Sequence, residues 1–390
     1  MTLVAALFAD SAPIIVADCL ISHAGGAKNG IDTPLRSSDD RQGVGTYRPV
    51  GLARKFWQLP DGTMFLYSGN VDKARELFGH LATLVDEARP YSMQTHRGAA
   101  EVAEILRDCS FCAVPTRALD DQTPALMVHG NAKAKHFPNY GQVVAIGSGA
   151  QDLLELLDRY QGVPADGLRD RELNAYEVCA RLNIDYMKAT GSRMSAASTG
   201  GFFEVVQPEL HAGKVGALVR NSAHLFLDVT ETTIEMPRAI LAFQGSQTSV
   251  IVVGGGSMYK WGSHRLTIPI DSALEFEIAA SRIEGAYRQF SGTPLPSPHI
   301  QCVVIYAESV HPSCGHAFRT HSVLYGDGMP AAFVHEYEPE DWLVGHDASA
   351  DPVEDSIVLD LLRTRDLESM LRRMHQQARC EICDRASLST

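Results

Sequence analysis

The first eighteen residues bring a hydroxyl and a carboxylate towards one place. Two apolar runs, residues 3 to 8 and 13 to 17, flank a short polar turn, which predicts a β-hairpin. Antiparallel pairing about this turn sets Thr2 close to Asp18. If Met1 is removed, the α-amine of Thr2 lies beside its own hydroxyl, which makes a nucleophile with a built-in base. The alternative is that Asp18 only ends a turn.

Further motifs occur at set positions relative to the predicted elements. A second hairpin is predicted from Lys55 to residue 67, about the turn at residues 60 to 62. Gly69 follows this hairpin and comes just before a helix predicted from about residue 71 to 88, and Ser148 lies between two glycines at the start of another helix. Pairs of strands alternating with pairs of helices predict an α+β fold, with paired antiparallel sheets and helices outside them.

In this order the motifs resemble the proteasome β-subunit and HslV peptidase family, the threonine-type N-terminal nucleophile hydrolases. The resemblance covers roughly residues 2 to 210 and implies a four-layer αββα sandwich. It implies that Thr2 is the nucleophile, Asp18 its acidic partner and Lys55 the active-site lysine.

Three further residues match family positions. Gly69 matches the glycine whose backbone N–H contributes to the oxyanion hole, and Ser148 matches the serine that positions the terminal amine. Ser22 is similar to a hydroxyl residue that holds the substrate backbone. Each also has a structural explanation, since glycines form tight turns and serines are common in loops.

The chemistry of these groups is consistent without the family. A free α-amine with a pKa of about 7.7 to 8.0 suits a general base at neutral pH. A cationic Lys55 would favour the developing alkoxide of Thr2, and Asp18 would keep that lysine charged. A backbone N–H at Gly69 would stabilise a tetrahedral oxyanion. The alternative for Lys55 is a solvated strand charge.

The function expected from this resemblance is a threonine-nucleophile amidohydrolase, a proteasome-like peptidase that needs no cofactor. Polypeptide substrates and a homo-oligomer, such as a ring, are implied, and an ATPase partner is implied by resemblance alone. One departure weakens the match: Ala196 stands where the family carries an Asp, although Ser198 or Thr199 could still supply the nearby hydroxyl. A catalytically inactive scaffold or binding protein, or a hydrolase of a non-peptide amide, therefore stays open.

Length and composition indicate two soluble domains. For 390 residues we expect a catalytic domain at 1–212 and an accessory region at 213–390, of mixed α/β structure with an acidic C-terminal helix. The net charge of −13 argues against nucleic-acid binding. We recognise neither a signal peptide nor an apolar run long enough for a membrane span, so a cytoplasmic protein without membrane association is expected.

Eight cysteines occur along the chain. Cys314, His316, Cys380 and Cys383 have the ligand types of a structural zinc site, but folding must bring the two pairs together, and buried thiols without metal are the alternative. Residues 109 to 112 carry two cysteines outside any strand-to-helix context, which favours packing.

Overall fold

A computed structural model gives the structure of the chain. It describes residues 2–24, 47–52, 54–107, 109–115, 126–160, 162, 164–188, 199–211, 214–218, 222–229, 233–244, 249–254, 257–260, 302–310, 317–325, 332–337 and 341–346. The chain separates into two compact units, Met1–Val219 and Arg220–Thr390.

The first unit carries twelve strands and four helices among its described residues. They are β1 (Leu3–Leu7), β2 (Ile14–Asp18), β3 (Leu20–Ala24), β4 (Tyr47–Leu52), β5 (Phe56–Gln58), β6 (Met64–Gly69), α1 (Val71–Leu84), α2 (Met93–Leu106), β7 (Cys109–Val114), β8 (Met127–His129), β9 (Ala132–Phe137), β10 (Gly141–Gly147), α3 (Ala150–Arg159), α4 (Leu168–Lys188), β11 (Phe203–His211) and β12 (Lys214–Leu218).

Two antiparallel sheets dominate this unit. The larger has the order β12-β11-β2-β1-β10-β9, and the smaller has the order β5-β6-β7-β8. The predicted hairpin of β1 and β2 is confirmed, with Val4 opposite Ala17. Central strands β1 and β2 are buried along their whole length, so they read as continuous apolar runs rather than alternating ones.

One apolar core lies between the two sheets. Its members come from β1, β2, β10 and β11 of the larger sheet and from β5, β6 and β7 of the smaller one. Along β6 the side chains alternate, because successive residues of a strand point to opposite faces. Met64 and Leu66 belong to this core, whereas Phe65 and Tyr67 join a second core with α1 and α2.

Helices α1 and α2 therefore pack on the smaller sheet, while α3 lies against β9 and β10 and α4 lies against β11 and β2. The start of α1 is fixed by Asn70, whose side chain accepts hydrogen bonds from the N–H groups of Asp72 and Lys73. The start of α2 is capped by Ser92 in the same way. None of the helices in the described residues is both long and apolar enough to cross a membrane.

The second unit shows only strands in its described residues. They are β13 (Ser222–Val229), β14 (Thr233–Gln244), β15 (Ser249–Gly254), β16 (Ser257–Lys260), β17 (Cys302–Val310), β18 (Ala317–Tyr325), β19 (Ala332–Tyr337) and β20 (Asp341–His346), in one sheet in which β13 and β17 pair in parallel. Apolar spacing predicts a helix near residues 273–288 and the acidic C-terminal helix near residues 356–379, and both ranges lie outside the described residues. Cys314, His316, Cys380 and Cys383 lie outside them too.

One sequence expectation was wrong. Gly, Pro, Ser and Asp dominate residues 22 to 51, a composition that predicts a loop, yet both ends of this stretch form strands. Strands β3 and β4 pair antiparallel, with an irregularity next to the position where Ser22 faces Pro49. Proline cannot donate to a ladder, so it is tolerated at such irregular or edge positions.

Candidate active site

Thr2 lies at the head of β1, against the start of α3. Its N–H donates to Ser148 Oγ at 3.3 Å, and the N–H of Gly149 donates to the Thr2 carbonyl oxygen at 3.4 Å. The side chain is buried, and its hydroxyl has no hydrogen-bond partner among the described residues. Buried hydroxyls are nearly always paired, so an unpaired one at the expected nucleophile position calls for an explanation.

Gly147 gives Thr2 its position. The register sets Leu3 opposite Gly147, and Gly147 has a φ of +98°, a left-handed value that suits glycine. A Cβ at this position would stand 1.9 Å from the Thr2 carbonyl oxygen. The Gly-Ser-Gly sequence predicted as a turn before a helix is thus also the support of the threonine.

Asp18 ends β2 and is completely buried. Continuing the register of Val4 with Ala17 by one residue sets Asp18 opposite Leu3, next to Thr2 in the chain. Burial raises the pKa of the Asp18 carboxyl to about 7, while the positive charge of Lys55 and the N–H groups of Gly200 and Leu3 oppose that rise. Its Oδ2 accepts a hydrogen bond from the Gly200 N–H at 3.0 Å, and its Oδ1 has no hydrogen-bond partner among the described residues.

Lys55, just before β5, is 1% exposed, which is rare for a lysine. Burial lowers the pKa of its amine, and the charges of Asp18 and Cys19 act against that change. Its Nζ donates to the Leu20 carbonyl oxygen at 2.7 Å and lies 5.8 Å from the centre of the Tyr67 ring. The expectation of a solvated strand charge does not fit this position.

A buried ion pair that was not predicted from the sequence lies next to Lys55. Arg54 donates to both carboxylate oxygens of Glu204, at 3.2 and 3.4 Å, and both side chains are buried. Glu204 lies opposite Ala17, one residue from Asp18. Burial, with the charges of Glu204 and Asp18, raises the pKa of Cys19, so that this thiol stays protonated. Glu204, an acidic residue among the apolar residues at the start of β11, is the sequence feature that could have indicated this ion pair.

Gly69 and Ser22 lie at the margins of this arrangement. Gly69 ends β6 with a φ of +97°, and the neighbouring Ser68 has its Cβ 3.4 Å from where a Cβ on Gly147 would stand. Gly69 therefore follows directly after Ser68, the residue that packs near Gly147 beside Thr2. Ser22 lies on β3, two residues beyond Leu20, the residue whose carbonyl oxygen holds Lys55. The roles of both in substrate binding stay predictions.

The loop before β11 supplies residues that sequence analysis only partly identified. Thr199 is buried, and its Cγ2 lies 2.8 Å from where a Cβ on Gly149 would stand, so Thr199 lies near the start of α3. That Thr199 supplies the nearby hydroxyl stays a prediction. Gly200, the backbone partner of Asp18, was missed. Ala196 and Ser198 lie outside the described residues.

Within the described part of the chain, no group of three or more His, Cys, Asp or Glu side chains could hold a metal ion. The zinc prediction concerns residues outside that part and stays a prediction. Cys109 and Cys112 are buried free thiols, as packing residues would be.

No protein-family model matches the chain, and no curated protein matches it either. Among solved structures, the chain is similar to one described as the Anbu (Gly-1) mutant from Hyphomicrobium sp. strain MC1. The identity is 14% and the TM-score 0.32, over 56% of this chain and 86% of that chain. A likeness at this level carries no argument about function.

Proposed function

We propose that this chain is a threonine-nucleophile amidohydrolase, a proteasome-like peptidase that acts once Met1 has been removed. The observation that carries the proposal is the buried hydroxyl of Thr2, which has no hydrogen-bond partner among the described residues. It lies on a residue whose N–H bonds to Ser148, next to a buried Asp18 that is charge-coupled to Lys55. Residues placed only for packing would not bring the buried Thr2, Asp18 and Lys55 together inside an apolar core.

The layers of the first unit support the same proposal. Helices α1 and α2, the smaller sheet, the larger sheet, and helices α3 and α4 follow one another through two apolar cores. We infer that they form the four-layer αββα sandwich that the motifs imply. In that arrangement the start of β1, where Thr2 lies, is next to the ends of β6 and β10.

The reaction begins with attack of Thr2 Oγ1 on the carbonyl carbon of a peptide or amide. The freed α-amine takes the hydroxyl proton, and Lys55 stabilises the developing negative charge on Oγ1. The Gly69 N–H faces the tetrahedral oxyanion. The α-amine then gives its proton to the leaving amine, which departs and leaves an ester on Thr2. Water adds to this ester with the α-amine as base, which releases the acid and restores the hydroxyl.

Asp18 and Lys55 form a buried pair whose protonation depends on each partner. Burial favours the neutral form of both side chains, and their mutual attraction favours the charged form of both. The pair has no net charge in either case, which suits an apolar site. Attack on the substrate would tip this balance towards the charged pair, because the negative charge that develops on Thr2 Oγ1 attracts the ammonium group.

Three properties implied by the resemblance complete the proposal. The substrate is a polypeptide, the chain assembles with copies of itself, with a ring as the form expected, and an ATPase could deliver the substrate. Each is a proposal from sequence resemblance alone.

The test is hydrolysis of a fluorogenic peptide library by the full chain, with a set of small amides in parallel. We expect Thr2→Ala to abolish turnover and Thr2→Ser to keep part of it, since Ser retains a hydroxyl beside the amine. Thr83→Ala, on the exposed end of α1, is the matched control and should keep full activity. Full activity of Thr2→Ala would overturn the proposal. Turnover of amides but not peptides would move it to a non-peptide substrate, and no turnover by wild type would favour a scaffold.

A further inference from the structure

The Asp18 carboxylate is held by a loop that lies 182 residues further along the chain, where Gly200 N–H donates to Asp18 Oδ2 at 3.0 Å. Pairing of β11 with β2 brings the loop there. Phe203 lies opposite Asp18, and the Cys19 N–H donates to the Phe202 carbonyl oxygen at 3.0 Å. Gly200 and Asp18 are both buried, so water does not compete for the hydrogen bond between them.

We propose that Gly200 is a positioning residue, whose backbone N–H fixes one oxygen of Asp18 and leaves the other facing the site. The importance of Gly200 for catalysis rests on the proposed function, whereas the bond to Asp18 does not.

Gly200 cannot be exchanged for a larger residue without moving this N–H. Its φ is +127°, a value that residues with a side chain rarely adopt. A Cβ on Gly200 would stand 2.2 Å from Cδ2 of the buried Tyr186 on α4. Close contact with the Tyr186 ring therefore holds the backbone of Gly200 against the end of β2.

The hydrogen bond from Gly200 makes the two carboxylate oxygens of Asp18 different from each other. Oδ2 is taken by Gly200, while Oδ1 has no hydrogen-bond partner among the described residues. The ionisable groups that interact with Asp18 are Lys55 and the N-terminal amine, whose positive charges lower the Asp18 pKa, together with Cys19 and Tyr67, whose own pKa values are raised by burial. The Leu3 N–H also stabilises the carboxylate, and the Lys55 ammonium group, which donates to the Leu20 carbonyl oxygen, acts on Asp18 through its charge. Loss of the Gly200 bond would favour neutral Asp18, which could no longer keep Lys55 charged.

The experiment is a carboxyl-¹³C NMR titration of the full chain with labelled aspartate, in which Asp18→Asn identifies the Asp18 signal. We expect a midpoint near 7 in wild type and a midpoint about one pH unit higher in Gly200→Ala, because a hydrogen bond to the ionised form lowers a carboxyl pKa. Gly98→Ala is the matched control, since a Cβ there meets no atom within 4 Å. It should titrate like wild type. Equal midpoints in Gly200→Ala and wild type would overturn the inference.

A second measurement serves if Gly200→Ala does not fold. In wild type labelled with ¹⁵N-glycine, the Gly200 amide signal should shift with pH at the same midpoint as Asp18, and this shift should vanish in Asp18→Asn. A Gly200 amide that does not respond to Asp18 titration would overturn the inference. Neither experiment uses turnover, so absence of peptide hydrolysis would refute the proposed function and leave this result standing. If turnover is present, the acidic limb of the pH profile should move upwards in Gly200→Ala with the NMR midpoint.

Discussion

Replacing Gly147 by alanine tests the support of Thr2, because the added methyl group points at the threonine backbone. The new Cβ would stand 1.9 Å from the Thr2 carbonyl oxygen, and the backbone would have to keep a φ of +98°. Forcing a residue with a side chain into left-handed backbone costs about 1–2 kcal/mol. Overfilling a packed site adds about 1–3 kcal/mol. We therefore expect a loss of about 2–5 kcal/mol in the free energy of unfolding of the first unit.

The matched control is Gly98→Ala. Gly98 lies within α2 with open space around it, so alanine should stabilise the helix by about 0.5–1 kcal/mol. Both substitutions replace glycine by alanine, yet Gly147→Ala should lower the free energy of unfolding and Gly98→Ala should raise it.

The assay is amide hydrogen exchange of the full chain under native conditions, followed in peptides from β1 and β10. Exchange through opening of the first unit reports its free energy without interference from the second unit. We expect faster exchange in Gly147→Ala and slower exchange in Gly98→Ala. Exchange in Gly147→Ala that matches wild type would refute the reasoning about this glycine, because a 1.9 Å contact cannot persist without displacement of Thr2.

Three further predictions follow from buried charges. Glu204→Gln should lower stability by about 3–5 kcal/mol, since it removes the carboxylate to which the buried Arg54 donates two hydrogen bonds. In urea unfolding the exposed Asp72→Asn should leave the midpoint unchanged, and equal effects of the two substitutions would contradict this prediction. Lys55→Met should reduce peptide hydrolysis about 10²–10³-fold without unfolding the chain, measured as kcat/KM, and unchanged turnover would exclude the lysine from the reaction. Burial raises the pKa of Glu177 from 4.5 to about 7, so the folded state keeps its proton where the unfolded state loses it. Stability should fall between about pH 4.5 and 7, by on the order of 2–3 kcal/mol from this group, and Glu177→Gln should flatten that fall in urea unfolding at several pH values; an equally steep fall in the variant would contradict the assignment.

Local elements of the first unit could be predicted from sequence because their signals lie within a few residues of each other. The hairpin of β1 and β2, the β5–β6 hairpin and the helices after Asn70 and Gly149 appear where the patterns placed them. Helix α1 ends at Leu84, short of the predicted residue 88. The reason is Asp86, whose side chain accepts from the N–H groups of Ala88 and Arg89 and so forms a turn that competes with the helix.

Apolar spacing predicts the second helix near residues 98 to 107, a start that is too late. The apolar stripe begins near residue 98, but the helix starts at Met93, because Ser92 accepts a hydrogen bond from the Thr95 N–H and caps it. Capping residues mark a helix start more closely than apolar spacing does. The first turn after Ser92 is mostly polar, so the spacing of apolar residues does not mark the start of this helix.

The candidate site was predictable for residues with a chemical signature and unpredictable for the groups that support them. Thr2, Asp18 and Lys55 stood out by type and order. Gly200 acts through its backbone N–H, which every residue but proline carries, and Glu204 through pairing with Arg54, 150 residues away. Only the register of β11 on β2 reveals these partners, and long-range strand register is not encoded in any local pattern.

The proposed mechanism requires that Thr2, with its α-amine freed by removal of Met1, attacks the carbonyl carbon of the substrate. Intact-mass spectrometry of the full chain, before and after mixing with an activated peptide ester, tests it in one measurement. We expect a chain that begins at Thr2 and gains one acyl group, located on the Thr2 peptide and absent from Thr2→Ala. A chain that retains Met1, or that gains no acyl group at Thr2, would contradict it.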